Sequence, residues 1–203
     1  MSAAERPAPG VCGAVLAAGG GSRFPGPQHK LLVGWHGKPL VWWAATHALA
    51  AGFDQVAVVQ GAVDLSAAGL PEGVVVLHNP AWSAGIATSL QTAARWAADR
   101  GAEALVIGLG DQPLVSPATW RAVAGHPAPI AFAESQGQRC PPVRLHHSVF
   151  PLLPAAGDEG ARVVAKEHPE LVGTVRCEDV LVDVDRPEDL ARLEALAPRT
   201  AST

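Results

Sequence analysis

The run from Val11 to Lys30, V-C-G-A-V-L-A-A-G-G-G-S-R-F-P-G-P-Q-H-K, constrains the fold more than any other stretch of this chain. Its first part, Val11 to Leu16, is apolar and reads as a buried strand. The strand leaves the core through Gly19-Gly20-Gly21, a turn that residues with side chains follow less readily. Arg23 and Lys30 come next. Glycines let backbone N–H groups approach oxygens closely, and nearby cations offset their charge, so this arrangement suits a polyphosphate. A plain strand exit with solvated charges fits the same residues. Two familiar phosphate motifs are excluded. The dinucleotide pattern G-x-G-x-x-G begun at Gly19 needs a glycine where Phe24 stands, and the P-loop pattern begun at Gly21 reaches Gly26 but continues with Pro27 and Gln28.

Charge is segregated along the chain. No Asp or Glu lies between Arg6 and Phe53, whereas eleven of the nineteen acids lie between Asp158 and Glu194. A locally positive N-terminal third suits an anionic ligand. The net charge of −4 argues against a general nucleic-acid binder. At 203 residues and 48% hydrophobic content, the chain is long and apolar enough for one well-buried domain, expected over residues 11–197. Residues 1–10 read as a disordered N-terminal arm and 198–203 as a frayed tail. No apolar run reaches membrane-spanning length and the start lacks a signal-peptide core, so a cytoplasmic protein is expected. Cys12, Cys140 and Cys177 match no zinc spacing and no disulfide framework.

Along the chain, apolar runs alternate with helical stretches. Strands are expected at Leu31–Trp35, Gln55–Gln60, Val74–Leu77, Glu103–Leu109, Ile130–Glu134, Val143–Leu145, Gly173–Cys177 and Val180–Val184. Helices are expected from Pro39 to Ala51, Ile86 to Asp99, Ser116-Pro117 to Ala124, His147 to Leu153, Glu159 to Glu167 and from Pro187. Gly137 to Pro142 reads as a polar loop. This alternation predicts an α/β class, a three-layer α/β/α sandwich with a mostly parallel Rossmann-like sheet.

Asp111 follows a largely apolar strand, Glu103–Leu109, after a glycine. Ligands of open α/β sheets collect at strand carboxyl ends, so Asp111 would face the glycine turn. A carboxylate opposite a phosphate site needs a cation between them, and Mg²⁺ takes one or two carboxylates plus phosphate oxygens. An Asp that merely caps a turn is the competing reading. Asp183-Val184-Asp185 would place two carboxylates on one strand face, just before a helix begins at Pro187. Glu188 and Asp189 suit that helix N-terminus. His29, His36, His146 and His147 show no ligand spacing and read as surface or core histidines.

The N-terminal stretch resembles L-A-A-G-x-x-x-R-[MF]-G…K-L-L, the signature of the MobA-like molybdenum-cofactor nucleotidyltransferases. Here it stands as Leu16-Ala17-Ala18-Gly19, Arg23-Phe24 and Lys30-Leu31-Leu32. Pro25 replaces the usual glycine. Four further stretches resemble the family in its order: Asn79-Pro80-Ala81-Trp82-Ser83-Ala84-Gly85 with Ser89-Leu90, Gly110-Asp111-Gln112-Pro113, Gly157-Asp158-Glu159-Gly160-Ala161-Arg162, and Asp183-Val184-Asp185-Arg186-Pro187-Glu188-Asp189-Leu190. The family's G-x-x-G-H-P-V departs here, with Cys140 and Pro141 in place of the second glycine and the histidine.

The resemblance implies a fold of the nucleotide-diphospho-sugar transferase type and transfer of a nucleotide from an NTP to a phosphate, with pyrophosphate released. It implies that Leu16, Ala17, Ala18, Gly19, Gly20, Arg23, Lys30, Asn79, Gly85 and Ser89 bind the nucleotide. It implies Arg23, Lys30 and Asp111 as catalytic groups, and Asp111 and Asp185, with Asp183 behind, as Mg²⁺ ligands. Ala18, where the guanylyl branch has glycine, points to CTP. The implied acceptor is a molybdopterin-type cofactor, with a molybdoenzyme as recipient of the product. GTP, another phosphorylated acceptor such as a sugar or alcohol phosphate, and a non-catalytic cofactor chaperone stay open as alternatives.

Overall fold

The computed structural model describes residues 10–24, 28–179 and 182–196. Strand β1 (Val11–Ala17) is buried along its whole length, as its unbroken apolar run requires. A 3₁₀ turn (Lys30–Leu32) and a two-strand ribbon, β2 (Gly34–Trp35) and β3 (Lys38–Pro39), lead into α1 (Leu40–Ala50). Strands β4 (Gln55–Gln60) and β5 (Val74–His78) precede α2 (Ile86–Ala98). Then come β6 (Ala104–Leu109), α3 (Pro117–Ala124), β7 (Ile130–Ser135), β8 (Gln138–His146), α4 (Ala161–Glu167), β9 (Val172–Arg176) and α5 (Pro187–Leu196).

Seven strands form one sheet in the order β5-β4-β1-β6-β8-β7-β9. Every neighbouring pair is parallel except the two made by β8, which is antiparallel to β6 and β7. Side chains of β1 alternate between two cores. Cys12, Ala14 and Leu16 face the cluster that includes Leu90, Ala93 and Ala97 of α2 and Val164 of α4. Val11, Val15 and Ala17 face the cluster that includes Val41, Ala44 and Ala48 of α1 and Trp120 and Val123 of α3. Helices thus cover both faces, and the expected three-layer α/β sandwich is what forms. A third cluster, Trp35, Leu40, Val182, Val184 and Leu193, docks the C-terminal segment on the ribbon and α1.

Three expectations need correction. The stretch from Gly137 to Pro142, expected as a loop, belongs mostly to β8. Gln136 and Gly137, both at positive φ, turn the chain so that Ser135 pairs with Gln138. Pro141 and Pro142 disguise the strand because neither can donate to a ladder. The register shift between Phe132 and Ala133 sets them in a bulge, where no donor is needed. Leu31 to Trp35, expected as a strand, is the 3₁₀ turn plus the short β2. In the expected strand Val180–Val184, residues 180 and 181 lie outside the described residues. Residues 182–185 follow no regular pattern and are held by a bond from the Val184 N–H to the Asp111 carbonyl (3.0 Å). The arm apart from Gly10, the tail over 198–203, and Pro25 and Gly26 of the signature also lie outside the described residues. No described helix is long and apolar enough to cross a membrane.

Candidate active site

β1 and β6 are sheet neighbours, with Leu16 opposite Leu109, and the chain moves away from them in opposite directions along the sheet. Their carboxyl ends therefore splay their following loops and leave a crevice, the usual ligand position in an open α/β sheet. A cleft of about 410 Å³ occupies it, lined by residues 16–23, Lys30, Trp82, Gly85, Ser89, Asp111, Asp158 and Asp185 among others. All expected nucleotide-binding residues line this cleft except Asn79.

Asn79 is turned inward and is 2% exposed. Its amide donates to Thr88 Oγ1 and Ser89 Oγ (both 2.9 Å), and its carbonyl oxygen accepts from the Ala81 N–H (3.0 Å). A side chain so engaged ties the loop after β5 to the first turns of α2, and both of its amide donors are taken. Gly85 opens α2 at φ +105, and a Cβ there would collide with the Gly157 carbonyl group. Only glycine permits that approach, which brings the 157–160 loop and Asp158 against the cleft.

Charge concentrates at one point. The Lys30 ammonium, on a residue 9% exposed, donates to Asp111 Oδ2 (2.6 Å) and Asp185 Oδ1 (2.9 Å). Arg23, largely exposed, reaches Asp185 Oδ2 (2.9 Å). Burial alone would lower the Lys30 pKa, but Asp111 and then Asp185 outweigh it and hold the ammonium above its ordinary value. Partial burial pushes Asp185 up, yet Lys30 and then Arg23 hold its carboxyl below the usual range. Asp185 is fixed by the start of α5, where Asp189 Oδ2 accepts from the Asp185 and Arg186 N–H groups (2.9 and 2.8 Å), the acidic half of a capping box.

The two expected metal carboxylates therefore converge on one position, taken by an ammonium. Their oxygens are the donor type that Mg²⁺ or Mn²⁺ prefers. Among the described residues, no three His, Cys, Asp or Glu side chains gather to hold a metal by themselves. A cation bound by Asp111 and Asp185 would thus need ligands from water or substrate phosphate, as Mg²⁺ normally keeps. The residues fit such an ion. Asp183 is not brought to this point. Its carboxylate accepts from Gln112 Nε2 (2.6 Å) and lines a second cavity of about 340 Å³, bounded by Gln138, Arg139, Cys140, Pro141, Glu159 and Arg162 among others. Partial burial and then the Asp111 charge push its carboxyl up. The opposite face of Gln112, Oε1, is buried with no partner among the described residues. Leu16, Ile86, Leu109 and Asp158 border both cavities.

Two further residues, which the expected site did not include, stand beside the glycine turn. Trp82 lies against the glycine turn, where a Cβ on Gly20 would stand 3.2 Å from its ring. It sits inside the Asn79–Gly85 motif, so its position is a signal. His29 bonds the Gly19 carbonyl through Nε2 (2.9 Å) and accepts from the Leu31 N–H at Nδ1 (3.3 Å). Nothing in its spacing marks it.

An open α/β sheet with a glycine turn, an engaged lysine and two convergent carboxylates at its switch point defines an enzyme of the nucleotidyltransferase class. Residues 13–172 match the model of the MobA-like NTP transferase domain, and the chain belongs to that family. It is similar to nicotine blue oxidoreductase of Paenarthrobacter nicotinovorans (36% identity; 91% of this chain, 97% of that protein). It is also similar to a molybdenum cofactor guanylyltransferase of Cereibacter sphaeroides (31% identity; 93% and 98%). Among solved structures, a nucleotidyl transferase from Methanothermobacter thermautotroptrophicus superposes with a TM-score of 0.80 at 25% identity, covering 91% of this chain and 96% of that one. Rv0371c from Mycobacterium tuberculosis in complex with manganese gives 0.67 at 27% identity, covering 92% and 99%.

Proposed function

We propose that this enzyme transfers CMP from CTP to the terminal phosphate of a molybdopterin-type cofactor in the cytoplasm, releasing pyrophosphate, with Mg²⁺ as its metal. The observation that carries this reading is the Lys30 ammonium held between Asp111 and Asp185 at the mouth of the glycine turn. The manganese complex of a related protein and the acceptor named for the guanylyltransferase relative support the metal and the acceptor.

A phosphate nucleophile is already ionised near neutral pH, so no strong base is required. Positioning and charge neutralisation supply the acceleration. The backbone N–H groups of the glycine turn and Arg23 hold the β- and γ-phosphates. Lys30 neutralises charge growing at the α-phosphate. Asp111 and Asp185 are the residues that would hold Mg²⁺, which would supply charge neutralisation between the carboxylates and the substrate phosphates. Arg23 changes partner easily, because an exposed ion pair is weak. The second cavity, next to the cleft across Leu16 and Leu109, takes the acceptor. Asp183 and Gln112 face that acceptor rather than the metal.

Ala18 favours CTP. It stands where the guanylyl branch has glycine, and it lines the cleft. GTP is the second reading, carried by the guanylyltransferase relative. Cys140 and Pro141 in the acceptor cavity keep a different phosphorylated acceptor in view.

The test is pyrophosphate release with CTP or GTP and molybdopterin, in wild type and Asp111→Asn. Metal-dependent release that prefers CTP and falls at least ~100-fold in the variant supports the reading. Release preferring GTP moves the enzyme to the guanylyl branch. Absence of release from either triphosphate, despite tight cofactor binding, favours the chaperone.

A further inference from the structure

We propose that His29 is a positioning residue that aims the phosphate-binding face of the glycine turn. The inference rests on the nucleotidyl-transfer reading but concerns a residue outside its motifs.

Three contacts converge on one ring. Nδ1 accepts from the Leu31 N–H, which places the ring proton on Nε2. Nε2 then donates to the Gly19 carbonyl at 2.9 Å. The ring also backs Gly21, whose φ is +61 and where a Cβ would stand 3.0 Å from Nε2. The first two contacts act on two different segments of the site. In a trans peptide the carbonyl and the next N–H point in opposite directions. The Gly19-Gly20 bond is trans, so a Gly19 carbonyl drawn back to His29 sends the Gly20 N–H the other way. Gly19 and Gly20 line the cleft, whereas His29 does not, so the side away from His29 is the cleft side, where substrate phosphates would bind. The bond to Leu31 N–H caps the 3₁₀ turn whose first residue is Lys30. One imidazole thus sets the direction of a backbone donor and the seat of the turn that carries Lys30.

Without this ring the glycine turn keeps its residues but loses the preference for one peptide orientation. A three-glycine turn has many orientations, and polyphosphate binding must then select one. The loss falls on phosphates and spares the nucleoside.

The experiment measures binding of Mg²⁺-pyrophosphate by calorimetry, and of the nucleoside of the best triphosphate by NMR titration. The proteins are wild type, His29→Ala and His29→Gln, whose amide nitrogen can replace Nε2. In His29→Ala, pyrophosphate affinity is expected to fall ~10-fold while nucleoside affinity stays within about 2-fold, and His29→Gln is expected to recover most of the loss. Wild-type pyrophosphate affinity in His29→Ala overturns the proposal. So does an equal loss of both ligands, which marks general damage, and so does a Gln variant no better than Ala. If wild type binds neither triphosphate nor pyrophosphate, the nucleotidyl-transfer reading itself fails.

Discussion

Asp183 and Asp185 are two residues apart, carry the same group, and meet opposite environments. Asp185 is drawn to Lys30 and Arg23, and its carboxyl is held low. Asp183 is exposed as a residue, yet desolvation of its carboxyl and the nearby Asp111 charge hold that carboxyl high. The signs of their pH effects therefore differ. A lowered carboxyl contributes stability above its ordinary value near 3.9 that is lost as pH falls toward the folded value. Asp185→Asn is expected to flatten the loss of stability below about pH 4, read as a shallower fall of Tm with pH. A raised carboxyl works the other way: the folded state favours its protonated form, so wild-type stability declines as pH rises through the interval above 3.9. Asp183→Asn removes that decline while its amide oxygen still accepts from Gln112 Nε2. With the crowding charge gone, Tm at neutral pH is expected to be no lower than in wild type and to vary less with pH. Scanning calorimetry across pH checks both, and an Asp183→Asn variant less stable than wild type at pH 7 counters the account.

At the scale of elements, α5 anchors one of the two converging carboxylates, Asp185, which stands just before its first turn. Its first turn is closed by Asp189, which accepts the N–H of Asp185 itself. Its Leu193 anchors on Trp35 and Leu40, far along the chain. Asp189→Ala is expected to lower stability by about 1 kcal/mol, the ordinary effect of losing such a cap. Because the lost bond also fixes Asp185, Mn²⁺ affinity, read by paramagnetic resonance, is expected to fall severalfold in the same variant. Unchanged Mn²⁺ binding in a destabilised variant would separate the helix from the site. Gly85 plays a comparable part for α2, since its positive φ and missing side chain let the 157–160 loop close one wall of the cleft.

For the whole molecule, the site is assembled from sequence-distant parts around one crevice: the turn after β1, the loop after β6, the start of α2 and the segment before α5. None of these parts holds the cleft without the others, so ligand binding and global folding are coupled. At a nucleotide concentration 100 times Kd, binding adds about 2.7 kcal/mol to folding stability. For a chain of this size that raises Tm by about 5–11 °C. The proposed reading expects this shift with CTP and Mg²⁺ together, a smaller one with GTP, and little with CTP when the metal is chelated. A full shift without metal would remove the metal from the account of nucleotide binding.

Much of this molecule is legible in its amino-acid sequence alone. Val11 to Leu16 reads as a buried strand and the glycine turn as its exit, so the fold class follows from local pattern and order, while the roles expected of Arg23, Lys30 and Asp111 come from the family resemblance. Ser116-Pro117 and Pro187 mark helix starts through backbone chemistry that any solvent-exposed helix shares. What local pattern does not reach depends on partners distant in the chain. Pro141 and Pro142 hide a strand whose ladder is completed by β7. Asn79 looks like a ligand contact until α2 supplies Thr88 and Ser89 for its amide. Asp183 and Asp185 look equivalent until Gln112 takes one and Lys30 the other. His29 looks idle until the turn folds back onto it. Periodicity and turn chemistry act over a few residues and are written in the sequence, whereas the direction of a polar side chain is set by whichever donor or acceptor the tertiary fold places beside it.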